Sequence, residues 1–220
     1  MTDAALDQVA AIPWFAALTP ELRAALLRLG RLTRRGTGEW LHGEGDEVAG
    51  LLAVVSGGLK VYSQAPGGRE ALIGLLPPRA VIGQSAAFGG GPRLVTAVAA
   101  RPSMMFTLSD RALRQAAADH PGLWEALSAL VYGQLRVATQ GLAELTALRP
   151  RERLISRLLQ LAGPDGAVAI SQSDLAELIG VTRKAVNGWL GDLATAGLVA
   201  RGYGVVRVLD GKRLERLLLH

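Results

Sequence analysis

The chain has no cysteine, three histidines, three lysines, and aromatic residues at only 5% of its 220 positions. Without a thiol there is no disulfide framework, thiolate zinc site, cysteine-held iron–sulfur cluster or cysteine nucleophile. Three scattered histidines, His42, His120 and His220, argue against a metal enzyme, and no metal site is expected. Long apolar runs are missing too. The longest stretches without a charged side chain, Gln8 to Pro20 and Ala80 to Pro92, hold 13 residues each, short of the ~18 that span a bilayer. No membrane partner is expected. The N-terminus carries Asp3 and Asp7 where a secretory leader would be basic, so a cytoplasmic protein is expected. No Ser/His/Asp or paired-carboxylate arrangement stands out, which leaves catalysis without support.

The charge that is present is unevenly placed. From Met1 to Leu148 there are 13 Lys+Arg against 12 Asp+Glu; from Arg149 to His220 there are 11 against 7. The last third therefore holds +4 of the net +5. A basic region beside a near-neutral one implies different partners, and an anionic polymer suits the basic one.

Apolar content of 50% is enough for a core in each of two small domains. Between Gly36 and Leu108 short apolar runs (Leu51 to Val55, Leu59 to Tyr62, Ala71 to Leu76, Val95 to Ala99, Met104 to Leu108) are separated by glycine and proline turns. That spacing predicts an antiparallel β-roll, cupin-like in its jelly-roll form, within an α+β chain. A helix from Pro20, capped by Thr19, precedes it. Asp110 to His120 has the composition of a short helix, and Pro121 opens a long one that runs to Leu148. On that long helix Trp124, Leu127, Val131, Leu135, Ala138, Leu142 and Leu145 form an apolar stripe. A second stripe comprises Leu123, Leu130, Val137 and Leu148. Two stripes predict that one packs on the helix's own domain and the other on a symmetry mate. We expect the first stripe to form a homodimer interface. The predicted divisions are a sensor roll over 1–120, a dimerisation helix over 121–148 and a third region over 149–220.

The third region holds the most specific segment. Ser171 and Asp174 form a capping arrangement for a helix burying Leu175, Leu178 and Ile179. Gly180 permits the positive φ of a tight turn. Thr182 then caps a second helix burying Val186, Leu190 and Leu193. This pattern predicts a helix-turn-helix whose second helix presents Thr182, Arg183, Lys184 and Asn187 away from the apolar seam. Arg suits guanine, Asn suits adenine, and Lys suits phosphate or guanine. Gly197 to Leu209 reads as a glycine-tipped hairpin, a wing that brings Arg201 and Tyr203 to the DNA backbone. Ser171, Thr182, Arg183, Lys184, Asn187, Arg201 and Tyr203 are the expected contacts to duplex DNA.

This order of parts resembles the Crp/Fnr transcription regulators over essentially the whole chain. The resemblance rests on Gly38-Glu39 with His42-Gly43-Glu44-Gly45-Asp46, Leu51 to Gly57 before Lys60-Val61, Gly68-Arg69-Glu70-Ala71, and Tyr203-Gly204 with Val208-Leu209-Asp210. It implies a homodimer that sets two recognition helices into successive major grooves of a pseudo-palindromic site, with RNA polymerase as a further partner. In ligand-binding members, a short helix after Gly-Glu and a downstream Arg-Ser hold a cyclic nucleotide. The matching stretch here implies effector contacts at Gly83, Gln84, Ser85 and Arg93, with Thr139 on the long helix. Two departures weaken a cAMP site: Gln84 replaces a carboxylate, and Leu94 replaces a hydroxyl residue. Gly188 stands where relatives often carry arginine. The effector is left open, and the absence of cysteine removes the iron–sulfur mode of sensing. Two rival functions are a small-molecule-binding roll whose helix-turn-helix serves only as an interaction module, and an enzyme on a cupin-like roll that would need a metal.

Overall fold

The computed structural model describes residues 3–47, 50–83, 91–202 and 204–219. They form two compact units, 1–136 and 137–220. The first unit begins with three helices, α1 (Asp3–Ala10), α2 (Pro13–Ala16) and α3 (Pro20–Leu29). Helix α3 starts where expected: Pro20 needs no amide partner at the first position, and the Thr19 hydroxyl accepts from the Leu22 amide. Eight strands follow: β1 (Arg31–Arg35), β2 (Trp40–His42), β3 (Gly50–Ser56), β4 (Leu59–Ala65), β5 (Arg69–Leu76), β6 (Val81–Ile82), β7 (Thr96–Ala99) and β8 (Ser103–Ser109).

These strands pair antiparallel in two sheets of order β1-β8-β3-β6 and β2-β7-β4-β5. Between the sheets lie Leu52, Val54, Leu59, Ala99 and Met105. The other face of the β1-β8-β3-β6 sheet supplies Leu51, Ala53, Phe106 and Leu108 to a larger core with the helices. There Phe15 meets Phe106 edge to face, ring centres 5.7 Å apart, a favoured aromatic geometry. Helix α4 (Asp110–Asp119) is capped by Ser109, whose hydroxyl accepts from the Ala112 amide.

Helix α5 (Gly122–Ala147) begins in this unit. Its first turns bury Leu123 and Leu127 completely, with Trp124, Ala126 and Leu130 packed around them. Gln134 donates from Nε2 to the Val81 carbonyl at 2.8 Å, fixing the helix to the roll. Leu127 and Trp124 therefore do not belong to an outward stripe as the periodicity suggested. The exposed apolar face starts at Val131 and continues through Leu135 and, in the second unit, Leu142 and Leu145.

The second unit contains the end of α5, α6 (Pro150–Leu161), β9 (Ala167–Val168), α7 (Gln172–Ile179), α8 (Arg183–Thr195), β10 (Val199–Gly202), β11 (Val205–Val208) and α9 (Gly211–Arg216). Its sheet order is β10-β11-β9. Leu154, Ile155 and Leu158 of α6, Val168, Leu175, Ile179, Val186, Leu190, Leu193 and Leu214 are all buried. At the start of α6 the Arg149 amide and Nε donate to the two Glu152 carboxylate oxygens at 2.8 and 2.7 Å. Glu144, near the end of α5, accepts from Ser156 at 3.0 Å and from Gln160 at 2.5 Å. Its other oxygen lies 3.4 Å from Arg157. This partly buried cluster joins α6 to the end of α5.

Candidate nucleic-acid interface and effector pocket

The helix-turn-helix is built by local hydrogen bonds. Ser171 accepts from the Asp174 amide at 3.0 Å, starting α7. Gly180 then turns the chain with φ +70° and ψ +40°, a left-handed conformation that a Cβ would penalise. Its amide and that of Val181 donate back to the Glu177 and Ala176 carbonyls. Thr182 accepts from the Ala185 amide at 3.3 Å and starts α8. Ser171 is thus a structural cap, and the half-buried side chain works on its own helix.

The apolar face of α8 consists of Val186, Leu190 and Leu193. Helical periodicity turns Thr182, Arg183, Lys184 and Asn187 outward, and all four are exposed. Among the described residues neither the Arg183 nor the Lys184 side chain makes a hydrogen bond or ion pair. Two exposed, unpaired cations at the amino end of a helix have no internal structural use, since the positive end of the helix dipole disfavours them. Their placement suits an external anion.

Strands β10 and β11 form the wing, in register from Val199 with Val208 to Gly202 with Val205. Arg201 is exposed on it and donates from Nη2 to Asn187 Oδ1 at 2.5 Å. The structure thus joins two predicted contacts, one on the helix and one on the wing. Tyr203 lies outside the described residues. Strand β9 and helix α9 were not legible beforehand: a two-residue strand carries no period, and α9 has six residues.

In the roll, Arg93 is buried. Its Nη1 donates to the carbonyls of Gly50 at 2.9 Å and Gly83 at 3.1 Å. Its main chain pairs with the turn after β2, the Arg93 amide donating to Asp46 and its carbonyl accepting from Gly45. Gly83 has φ +92°, and a Cβ there would lie 2.2 Å from Arg93 Nη1 and 2.5 Å from the Gly50 carbonyl oxygen. Only glycine lets the arginine occupy this position. Burial lowers the Arg93 pKa while Asp46 works against that, and a guanidinium remains charged at neutral pH. Leu94 is exposed and brings no hydroxyl.

Gln84 and Ser85 lie outside the described residues. Thr139 is exposed on α5 in the second unit. His42 is buried beside this region, its pKa lowered first by desolvation and then by the Arg93 charge. His120 lines a separate surface cleft of about 590 Å³ with Trp14, Leu18 and Glu125. Among the described residues no group of three His, Asp or Glu could hold a metal, and no helix is long and apolar enough to cross a membrane.

A glycine-turned β-roll carrying a buried arginine, with a winged helix-turn-helix in the same chain, is the architecture of a DNA-binding transcription regulator. Residues 34–120 match the cyclic nucleotide-binding domain family, and residues 152–217 match the Crp-like helix-turn-helix domain family. The chain is 30% identical over 209 residues to the cyclic AMP receptor protein of Thermus thermophilus, covering 93% of this chain and 96% of that one. It is 29% identical over 211 residues to the CRP-like cAMP-activated global transcriptional regulator of Mycobacterium tuberculosis, covering 92% and 94%. The fold matches FixK2 from Bradyrhizobium japonicum with a TM-score of 0.78 and 23% identity over 86% of this chain and 96% of that one. The chain belongs to the Crp/Fnr family of transcription regulators, a family of DNA-binding proteins and not of enzymes.

Proposed function

We propose that the protein is a homodimeric, sequence-specific regulator that reads a pseudo-palindromic duplex with α8 and the wing. The observation that carries this reading is the Thr182-capped first turn of α8, with Arg183 and Lys184 exposed and without intramolecular partners among the described residues. Arg183 and Lys184 supply base and phosphate contacts, Asn187 reads a base edge, and Arg201 with Tyr203 meets the backbone. Ser171 sits at the start of α7, where a backbone phosphate can also approach. Residues 1–120 act as sensor, 121–148 as dimerisation helix and 149–220 as DNA-binding domain, with RNA polymerase as the downstream partner.

The test is gel-shift selection from a random duplex pool, followed by a salt titration. Phosphate contacts release counterions, so log affinity falls steeply with log salt. Arg183→Ala with Lys184→Ala lowers affinity by about a hundredfold and flattens the salt slope by about two contacts. Unchanged affinity and slope would mean that α8 does not meet DNA.

For the roll, we propose an anionic effector of the cyclic-nucleotide class whose phosphate approaches the guanidinium of Arg93. The support is the positive-φ Gly83 that makes room for a buried cation. Gly83, Gln84, Ser85, Arg93 and Thr139 form the proposed contact set. Leu94 withdraws one phosphate donor, so cAMP binds more weakly than at a site with a hydroxyl there. Calorimetry with cAMP and cGMP, on wild type and Arg93→Ala, separates the cases. Heat that Arg93→Ala abolishes supports the site, whereas identical titrations of the two proteins exclude it.

A further inference from the structure

Arg201 and Asn187 meet across the wing and the recognition helix, although each is exposed and free to extend into solvent. The guanidinium donates to Asn187 Oδ1 at 2.5 Å. Arg201 also lies along the next turn of the same helix face: a Cβ added at Gly191 would be 3.5 Å from its Nη1. Asn187 and Gly191 are four residues apart and share that face. Gly188 has nothing within 4 Å of where its Cβ would stand. The wing arginine therefore lies over a stretch of helix kept low by glycine, with the asparagine as its anchor.

This contact determines which way the amide points. A guanidinium has five N–H donors and no acceptor, so the asparagine atom that faces it must be the oxygen. The Asn187 amino group then points away from Arg201 with two donors to offer. An unconstrained asparagine reads adenine bidentately, accepting from N6 and donating to N7. Here one of the two lone pairs of Oδ1 is taken by a charge-assisted bond, the stronger kind, which holds the amide in one orientation. Guanine presents only acceptors, N7 and O6, on its major-groove edge.

We propose that Arg201 is a positioning residue for specificity: by holding Asn187 Oδ1 it turns the Asn187 amide from an adenine reader into a donor that favours guanine. The proposal rests on the DNA-reading function above. It adds that the wing sets the base preference of the recognition helix at one position of each half-site.

The experiment is sequence selection from a random duplex pool, with quantitative base preferences, for full-length wild type, Asn187→Ala, Arg201→Ala and the double variant. Thermal melts confirm that each is folded. Asn187→Ala identifies the position by flattening its preference. There, wild type favours guanine over adenine, and Arg201→Ala moves the ratio towards adenine by about tenfold, the scale of one hydrogen bond to a charged group. In the Asn187→Ala background, Arg201→Ala leaves the ratio at that position unchanged. Loss of the Arg201 charge also lowers affinity for all sequences together, but a uniform loss does not alter a ratio between bases. If Arg201→Ala retains the wild-type ratio, or if Asn187→Ala flattens no position, the proposal is wrong while DNA reading stands. If wild type selects no motif at all, the DNA-reading function itself fails and takes this inference with it.

Discussion

His42 is buried with neither ring nitrogen hydrogen-bonded among the described residues. The Val95 main chain favours the protonated ring, as does Asp46, but no bond of good geometry forms, and burial together with the Arg93 charge outweighs both. The native pKa lies below the ordinary 6.5. As pH falls through that value the unfolded chain takes up a proton that the native chain resists, so stability drops. The contribution is intact above pH 6.5 and is lost towards the lower native pKa. Glu152 and Asp165 are also lowered from their ordinary values, Glu152 by its Arg149 bonds and Asp165 chiefly by the Ala167 amide. These carboxylates act in more acid solution and leave the histidine window clear. We therefore expect the melting temperature to fall as pH drops below the ordinary 6.5 towards the lowered native value, and His42→Gln to remove that part of the slope. A wild-type melting temperature flat across the window, measured by circular dichroism, would contradict this assignment.

At the scale of single elements, α8 combines an apolar seam with glycines that its fold does not need. Gly188 is exposed, its φ is not positive, and a Cβ there meets nothing within 4 Å. Alanine is the better helix former in such a place by roughly 0.5–1 kcal/mol. Gly188→Ala should raise denaturant stability by that amount, and a loss of stability would mean that a methyl group at 188 meets a close neighbour. The helix-turn-helix was legible because its signals are local: Ser171, Gly180 and Thr182 act within a few residues of themselves. The strands of the roll were legible as runs between turns, but not their order. The pairing of β1 with β8 joins residues 68 to 76 positions apart, and no short pattern encodes it. Periodicity placed α5 correctly but could not say which stripe faces what, because Leu127 in the core and Leu135 in solvent repeat with the same helical spacing. The bond between Arg201 and Asn187 was hidden for a similar reason: it depends on how far the wing leans over α8.

For the whole molecule the question is what covers the outward face of α5. Val131, Leu135, Leu142 and Leu145 are large, apolar and exposed on one side of the helix. Single exposed apolar side chains are ordinary, but a run of them along one helix marks an interaction surface. A second copy of the same helix can cover such a stripe, because a two-fold interface places one patch against itself. Two winged heads on one dimer would then bind two half-sites separated by about one helical turn of DNA, or a multiple of it. Introducing charge tests the link between assembly and binding. Leu135→Glu with Leu142→Glu would set like charges against each other across the two-fold axis and leave the roll core untouched, since that core ends at Leu130 on this helix. By sedimentation, wild type should run at twice the 23.1 kDa chain mass, and the double variant at the chain mass. The variant should retain the weak affinity of one head for a half-site and lose the gain that comes from binding both halves together. Inserting about five base pairs between the half-sites puts the second on the opposite face of the duplex, so wild type should fall to the same low affinity. A monomeric variant that still binds the full site as tightly as wild type would show that dimerisation through α5 has no part in DNA recognition.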